Sequence, residues 1–236
     1  IRGFIDFDNL DRTLVFDRIS LDQGISLPGL KLELGGTGMG VFARNQQALL
    51  VLGQPRIRDA GLAGLIERDG WAAAIPLLCD APDEFLGKLA GRFALLWLDM
   101  AKGKIGFASD RFNTYGFCYA SEGRRLSFAD RANEVPALQR ELDPQSIFDY
   151  LYFHTIPAPG TIFKGVFRLE PGARLVADQD RTQLAAWWQP RFDEPSDADF
   201  KSSADTFKSL IKTAIERELD GTPVGAFLSG GTDSST

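Results

Sequence analysis

The chain has 236 residues, 44% of them hydrophobic, and a formal net charge of −6 at pH 7. This length is sufficient for one or two domains with full cores, and the negative charge argues against a nucleic-acid partner, whose phosphates need clustered lysines and arginines. No apolar run approaches the roughly 20 residues of a membrane span, and the two cysteines make neither a disulfide framework nor a metal cluster. We therefore expect a soluble protein of the reducing cytoplasm, with no membrane partner.

The first predicted elements are helices. Residues 61–78 carry apolar side chains at helical spacing, interrupted at Gly70, and Asp83 is expected to cap a short helix that reaches Ala90. Further along, Asp143 and the proline after it are typical of a helix start and predict a helix that ends at Phe153.

Short apolar runs after the first helices predict antiparallel hairpins. Residues 91–99 and 104–110 are joined by a Lys-Gly-Lys turn, and residues 115–120 and 125–129 form the next pair. Further strands are predicted at 162–169 and 173–177. The side chains expected between two layers, with helices outside, are Phe93, Leu95, Trp97, Ile105 and Phe107.

The last fifty residues change in character. Residues 187–199 are acidic and contain prolines, which is typical of a linker. Residues 203–219 have apolar side chains at three- and four-residue steps and predict a helix, which precedes a predicted parallel strand at 224–228.

The end of the chain predicts an anion-binding loop. Glycines after the predicted strand let the backbone turn tightly, so that the amides that follow point at an anion. Asp233 is the expected ligand of the Mg²⁺ that accompanies a nucleotide triphosphate, whereas the absence of a following lysine excludes a Walker A loop. The predicted ATP and pyrophosphate-binding residues are Leu228, Ser229, Gly230, Gly231, Asp233, Ser234 and Ser235.

These motifs together resemble the N-terminal part of glutamine-hydrolysing asparagine synthetases of the B type. The final loop is similar to the pyrophosphate loop of ATP pyrophosphatases. The other segments that carry the resemblance are 91–99, 109–112, 128–130, 157–166 and 169–172.

The resemblance implies a fold and a division into domains. It implies an α+β class, with an Ntn-type αββα sandwich followed by the first helix and strand of an α/β ATP-pyrophosphatase domain. The expected divisions are a glutaminase-like domain at 1–186, a linker at 187–200, and the start of a synthetase domain at 201–236, which we expect to continue beyond Thr236.

The glutaminase half departs from the family pattern. Arg2 stands where the family has its N-terminal cysteine nucleophile, and a guanidinium stays protonated and cannot attack an amide. Leu52-Gly53-Gln54 aligns with the family's Asn-Gly-Glu, so the acidic partner for the substrate ammonium is missing. We predict no catalytic residue in this half. We expect Cys79 and Cys118 to be core residues and His154 to have a partly buried packing role.

Three functions stay open at this point. The resemblance implies an ATP-dependent ligase that adenylates a small-molecule or peptide carboxylate, with ammonia or another amine as the nucleophile and with ATP and Mg²⁺ as cofactors. A second reading is an amide-cyclising ligase similar to β-lactam synthetase or lasso-peptide cyclase. A third is a non-enzymatic interaction scaffold, and a homodimer is an assembly that we allow for.

Overall fold

The computed structural model describes residues 1–13, 15–16, 24–35, 39–136, 140–193, 199–219, 221 and 223–232. The chain divides into two compact units, Ile1–Gln189 and Pro190–Thr236. None of the described helices is long and apolar enough to cross a membrane.

The first unit contains two six-stranded antiparallel sheets. The strands of the first sheet are β1 (Arg2–Asp6), β2 (Gly24–Leu27), β3 (Leu30–Glu33), β8 (Cys118–Glu122), β9 (Arg125–Ala129) and β10 (Phe167–Arg168). Those of the second are β4 (Met39–Arg44), β5 (Gln47–Ile57), β6 (Leu89–Asp99), β7 (Lys104–Ser109), β11 (Ala173–Ala177) and β12 (Thr182–Ala186). The first sheet has the order β10-β8-β9-β1-β3-β2 and the second has the order β12-β11-β7-β6-β5-β4.

The helices of this unit begin where the sequence indicates, with one exception. They are α1 (Ala60–Asp69), α2 (Trp71–Asp80), α3 (Pro82–Gly87) and α4 (Pro144–Phe153). The predicted break at Gly70 is confirmed, since that residue has a φ of 76° between α1 and α2. Asp143 caps α4 by accepting the Gln145 N–H at 3.2 Å. The prediction that Asp83 caps α3 is wrong, because Pro82 occupies the first helical position and Asp83 lies within the first turn.

The second sheet has one apolar layer on each of its two faces. Strand side chains alternate, so neighbouring residues of β6 face opposite layers. Leu96 and Leu98 lie between the sheets with Phe107, whose ring centroid is 4.8 Å from that of Phe128 in the first sheet. The predicted α+β sandwich with two stacked antiparallel sheets is therefore confirmed.

The predicted burial of the β6 side chains is confirmed, but not their layer. Phe93, Leu95 and Trp97 pack in the cluster that includes residues of α1, α2 and α3, rather than between the sheets. Trp97 is only 2% exposed and lies opposite Gly106 of β7. The prediction assigned both alternating faces to one layer, whereas a strand in the middle of this sandwich has one face towards each layer.

Several boundaries differ from those predicted. The strand expected at 162–169 shortens to β10, because the Thr161 hydroxyl donates to the Val166 carbonyl at 2.7 Å and folds the preceding residues into a turn. The predicted partly buried position of His154 is wrong, because this residue is exposed at the end of α4 with a φ of 57°. Trp187, predicted to lie in the linker, packs on the first unit, where its indole N–H donates to the Ser109 carbonyl at 3.1 Å.

The second unit contains one described helix, α5 (Phe200–Glu218), which begins after Asp199 accepts the Ser202 N–H at 3.1 Å. The predicted helix is confirmed. The strand predicted at 224–228 is not formed, and its residues are exposed. A parallel strand needs a neighbouring strand to satisfy its backbone groups, and none of the described residues of this unit provides one.

Candidate functional site

Arg2 lies near the start of β1, between Glu33 of β3 and Ala129 of β9. Its half-exposed guanidinium forms an ion pair with Glu33. The hydrogen bond that Arg2 donates to the Glu33 carboxylate raises the pKa of Arg2 above its ordinary value. Arg2, which the resemblance predicts to replace the family's nucleophile, is therefore a paired cation with no lone pair to offer a carbonyl carbon.

A cavity of about 450 Å³ opens beside the middle of β5. All three residues of the segment Leu52-Gly53-Gln54 line it, together with residues from β4, β6 and the loop after β7. Its lining residues are Met39, Gly40, Leu52, Gly53, Gln54, Arg92 and Tyr115. Arg2 is not one of them, and the described lining contains neither a thiol nor a carboxylate.

Gly53 is required by the shape of this cavity. It has a φ of 78°, and a Cβ placed there would lie 2.4 Å from both the Arg92 carbonyl oxygen and the Tyr115 ring. A residue with a side chain would be strained in its backbone and would displace that ring. The close approach of the Tyr115 ring to the backbone of β5 therefore forms one wall of the cavity.

A buried carboxylate holds the loop that carries Tyr115. Asp110 is 1% exposed and directly follows β7. Its oxygens accept the N–H groups of Phe93 at 3.0 Å, Phe112 at 2.8 Å and Thr114 at 3.3 Å. These bonds tie the loop to β6, so Asp110 positions the cavity wall without lining the cavity. The sequence marked Asp110 as part of a motif but assigned it no role.

Arg92 is the one arginine among the described lining residues, and further arginines follow on β5 and in the loop after β7. Arg92 lies opposite Gln54 in the ladder of β5 and β6, and Arg56 lies two residues further along β5. Arg58 follows at the end of that strand, where its N–H donates to the Lys88 carbonyl at 2.8 Å. Burial, and then the nearby charge of Arg58, lower the pKa of Arg111. We call Arg56, Arg58, Arg92 and Arg111 the arginine strip.

The two cysteines are poor nucleophiles in these positions. Cys118 is buried in β8, and Cys79 is partly buried in α2, so Cys118 confirms the core prediction and Cys79 lies at the edge of the core. Burial, with a further contribution from Asp99, raises the pKa of Cys79 to about 12. Burial also raises the pKa of Cys118. At neutral pH both are thiols, and neither lines the cavity.

The predicted ATP loop is described only in part. Leu228, Ser229, Gly230 and Gly231 are exposed, and Gly230 has a φ of 78°, the backbone geometry for which glycine was expected. The Gly231 N–H donates to the Ser229 hydroxyl at 3.3 Å. Asp233, Ser234 and Ser235 lie outside the described residues. Within the described ranges, no group of three His, Cys, Asp or Glu side chains could hold a metal ion.

Comparison with family models gives a match between residues 75–188 and the glutamine amidotransferase domain. The matched region contains the second half of α2, all of α3, four of the six strands of the second sheet (β6, β7, β11 and β12) and the loop held by Asp110.

Curated relatives show the same similarity. The chain is 30% identical to the putative asparagine synthetase [glutamine-hydrolyzing] 2 of Methanocaldococcus jannaschii, over 62% of this chain and 30% of that protein. It is 27% identical to asparagine synthetase [glutamine-hydrolyzing] 3 of Bacillus subtilis, over 65% of this chain and 26% of that protein. It is also 27% identical to amidase chyE of Penicillium rubens, over 64% of this chain and 23% of that protein. The chain thus covers less than a third of these relatives' length.

Among solved structures, the chain is similar to the glutamine phosphoribosylpyrophosphate amidotransferase of B. subtilis, solved with ADP and GMP. The TM-score is 0.39 at 13% identity, and the match covers 68% of this chain and 35% of that chain.

Proposed function

Because this chain contains a glutamine amidotransferase domain similar to the N-terminal domains of asparagine synthetases, we propose that the complete protein is an ATP-dependent amide-forming ligase whose glutaminase half is inactive. In this proposal a carboxylate receives AMP from ATP, pyrophosphate leaves, and ammonia or another amine displaces AMP to form the amide. The amidotransferase domain then acts as a scaffold rather than as a source of ammonia.

The side chain of Arg2 carries the proposal of an inactive glutaminase. A glutaminase of this kind needs a nucleophile that attacks the substrate carboxamide, and Arg2 is a cation paired with Glu33. Among its described lining residues, the cavity beside Leu52-Gly53-Gln54 offers no carboxylate to the α-ammonium of glutamine. Neither cysteine offers a substitute, because the raised pKa of each thiol keeps it protonated.

The sequence Ser229-Gly230-Gly231-Thr232-Asp233-Ser234-Ser235 carries the proposal of ATP chemistry. The positive φ of Gly230 supports it, because a phosphate cradle needs a backbone that approaches the anion closely. Amides and hydroxyls of the loop would hold the pyrophosphate part of ATP, and Asp233 would hold Mg²⁺. When bound, Mg²⁺ would neutralise charge on the phosphates during transfer of AMP.

The test is exchange of labelled pyrophosphate into ATP by the complete protein, with a panel of carboxylates. We expect exchange that depends on one class of carboxylate, and we expect Asp233→Ala to abolish it. Asp205→Ala, on the exposed surface of α5, is the matched control and should leave exchange unchanged. No exchange with any carboxylate, or unchanged exchange in Asp233→Ala, would contradict the proposed chemistry.

A second candidate has support from two fungal relatives that are named amidases, at 24% and 27% identity. In this candidate the protein is an amide-cyclising ligase. It forms an amide between a carboxylate and an amine of the same substrate molecule. The same panel distinguishes the two, because an amide-closing ligase would catalyse exchange only with substrates that carry both the carboxylate and the amine.

A further inference from the structure

Helix α4 has its large apolar side chains exposed and a small polar side chain buried. Ser146 is 3% exposed, and its hydroxyl donates to the Asp143 carboxylate at 2.8 Å. In most surface helices of globular proteins the apolar face is the one turned to the core. The exposed apolar side chains are Ile147, Phe148, Leu151 and Tyr152, and the last three are at least 60% exposed. This reversed polarity indicates a contact that the described residues of the first unit do not make.

These four side chains lie on one face of α4, and we call them the α4 stripe. Their positions i, i+1, i+4 and i+5 span about 140° of the helix circumference. Ile147 and Leu151 form one row, and Phe148 and Tyr152 form a second, in which the ring centroids are 6.2 Å apart and the planes differ by 14°. The stripe therefore consists of two ridges with a groove between them.

The start of α4 is tied to the segment that follows the helix. The Asp143 N–H donates to the Ile162 carbonyl at 3.0 Å, and Leu142 forms a bridge with Phe163. The Asp143 carboxylate caps the first turn. These bonds fix where the stripe lies, and a surface that is already ordered loses less entropy when it binds.

The exposed area of α4 suits an interface between proteins. Aromatic side chains offer about 150–250 Å² each, and Phe148, Tyr152 and Phe153 are 55–70% exposed, so these three alone offer about 400 Å². The rings of Tyr152 and Phe153 adjoin, with centroids 4.8 Å apart. A standard interface takes roughly 800 Å² from each partner, and Ile147 and Leu151 add to the aromatic area.

We propose that α4 is the contact of a homodimer, in which the α4 stripe of one copy packs against the α4 stripe of a second copy across a two-fold axis. Such a contact uses the same surface on both copies, so that surface must be complementary to itself. The stripe meets this condition, because a ridge of one copy fills the groove of the other when i, i+4 rows interdigitate. The stripe carries no charged side chain, so the contact brings no like charges together.

Sedimentation velocity of the complete protein at micromolar concentration tests the proposal, and we expect a dimer. Leu151→Glu places an unpaired charge in the contact and should raise the dissociation constant of the dimer about tenfold or more. Gln145→Glu is the matched control, because it introduces the same residue in the same helix but outside the stripe, and it should leave the dimer unchanged. Both side chains are exposed, so both variants should keep the wild-type melting temperature.

A monomeric wild type would overturn the proposal, because it would show that a second copy does not cover the stripe. An equally stable dimer in folded Leu151→Glu would overturn the assignment to α4, since the dimer would then use another surface.

Cross-linking tests the same contact without a buried charge. In Leu151→Cys, a bismaleimide that spans about 10 Å, the distance between packed helix axes, should join two copies through the introduced thiols. The wild type is the control, because the raised pKa of Cys79 and of Cys118 keeps both native thiols protonated. A Leu151→Cys protein that sediments as a dimer but forms no more cross-linked dimer than the wild type would overturn the proposed contact.

Discussion

Removal of the Asp110 carboxylate should destabilise the first unit strongly. Asp110→Ala leaves three backbone N–H groups without their acceptor, those of Phe93, Phe112 and Thr114. The Phe93 N–H is buried, and an unsatisfied buried donor costs about 1–3 kcal/mol. The other two are partly buried and can turn partly to water, so we expect a total loss of about 2–4 kcal/mol in the free energy of unfolding.

Urea unfolding followed by tryptophan fluorescence measures this loss. Asp178→Ala is the matched control, because the Asp178 carboxylate also accepts two backbone N–H groups, those of Asp180 and Arg181, but at an exposed turn. Water can replace those bonds, so the control should lose less than about 1 kcal/mol. A loss in Asp110→Ala no larger than that in Asp178→Ala would refute the reasoning that burial sets the size of the effect.

Three further predictions concern the core and its charges. Gly106→Ala should destabilise the protein by about 1–3 kcal/mol, because its Cβ would lie 2.1 Å from the Trp97 ring; wild-type stability in urea would contradict this packing. The hydrogen bonds from Arg174 lower the pKa of Asp83 below its ordinary value of 3.8. Their contribution to the stability of the folded protein is therefore present above that pH and is lost as pH falls through the lower folded pKa. The stability difference between the wild type and Asp83→Asn should therefore shrink in acid, and a difference that grows there would show that the sign is wrong. Cys79, with a pKa of about 12, should react slowly with a disulfide reagent at pH 8 until the protein is unfolded; rapid labelling of the native protein would contradict its burial.

The sequence predicted elements whose signals are local. The break at Gly70 and the cap at Asp143 were found because a glycine with positive φ and a capping carboxylate act within one turn of the chain. The hairpin of β6 and β7 was found because both strands are apolar along their length and are joined by a short turn.

Features that depend on distant partners were not predicted. The layer faced by Trp97 depends on which elements cover each sheet, and the end of α3 at Gly87 depends on recruitment of Leu89 and Ala90 into β6. The cavity was found only in part: the sequence pointed to Leu52-Gly53-Gln54, but Arg92 and Tyr115 join that segment through strand register and the Asp110 loop. The pairing of Arg174 with Asp83 spans 91 residues and has no local signal.

The most direct test of the central claim is whether the purified complete protein releases glutamate from glutamine. We predict no release above the rate without protein, because Arg2 offers no nucleophile and the described lining of the cavity offers no carboxylate partner for the substrate ammonium. Release above that rate, abolished by substitution of Cys79 or Cys118, would contradict the account by showing that one of these thiols acts as the nucleophile.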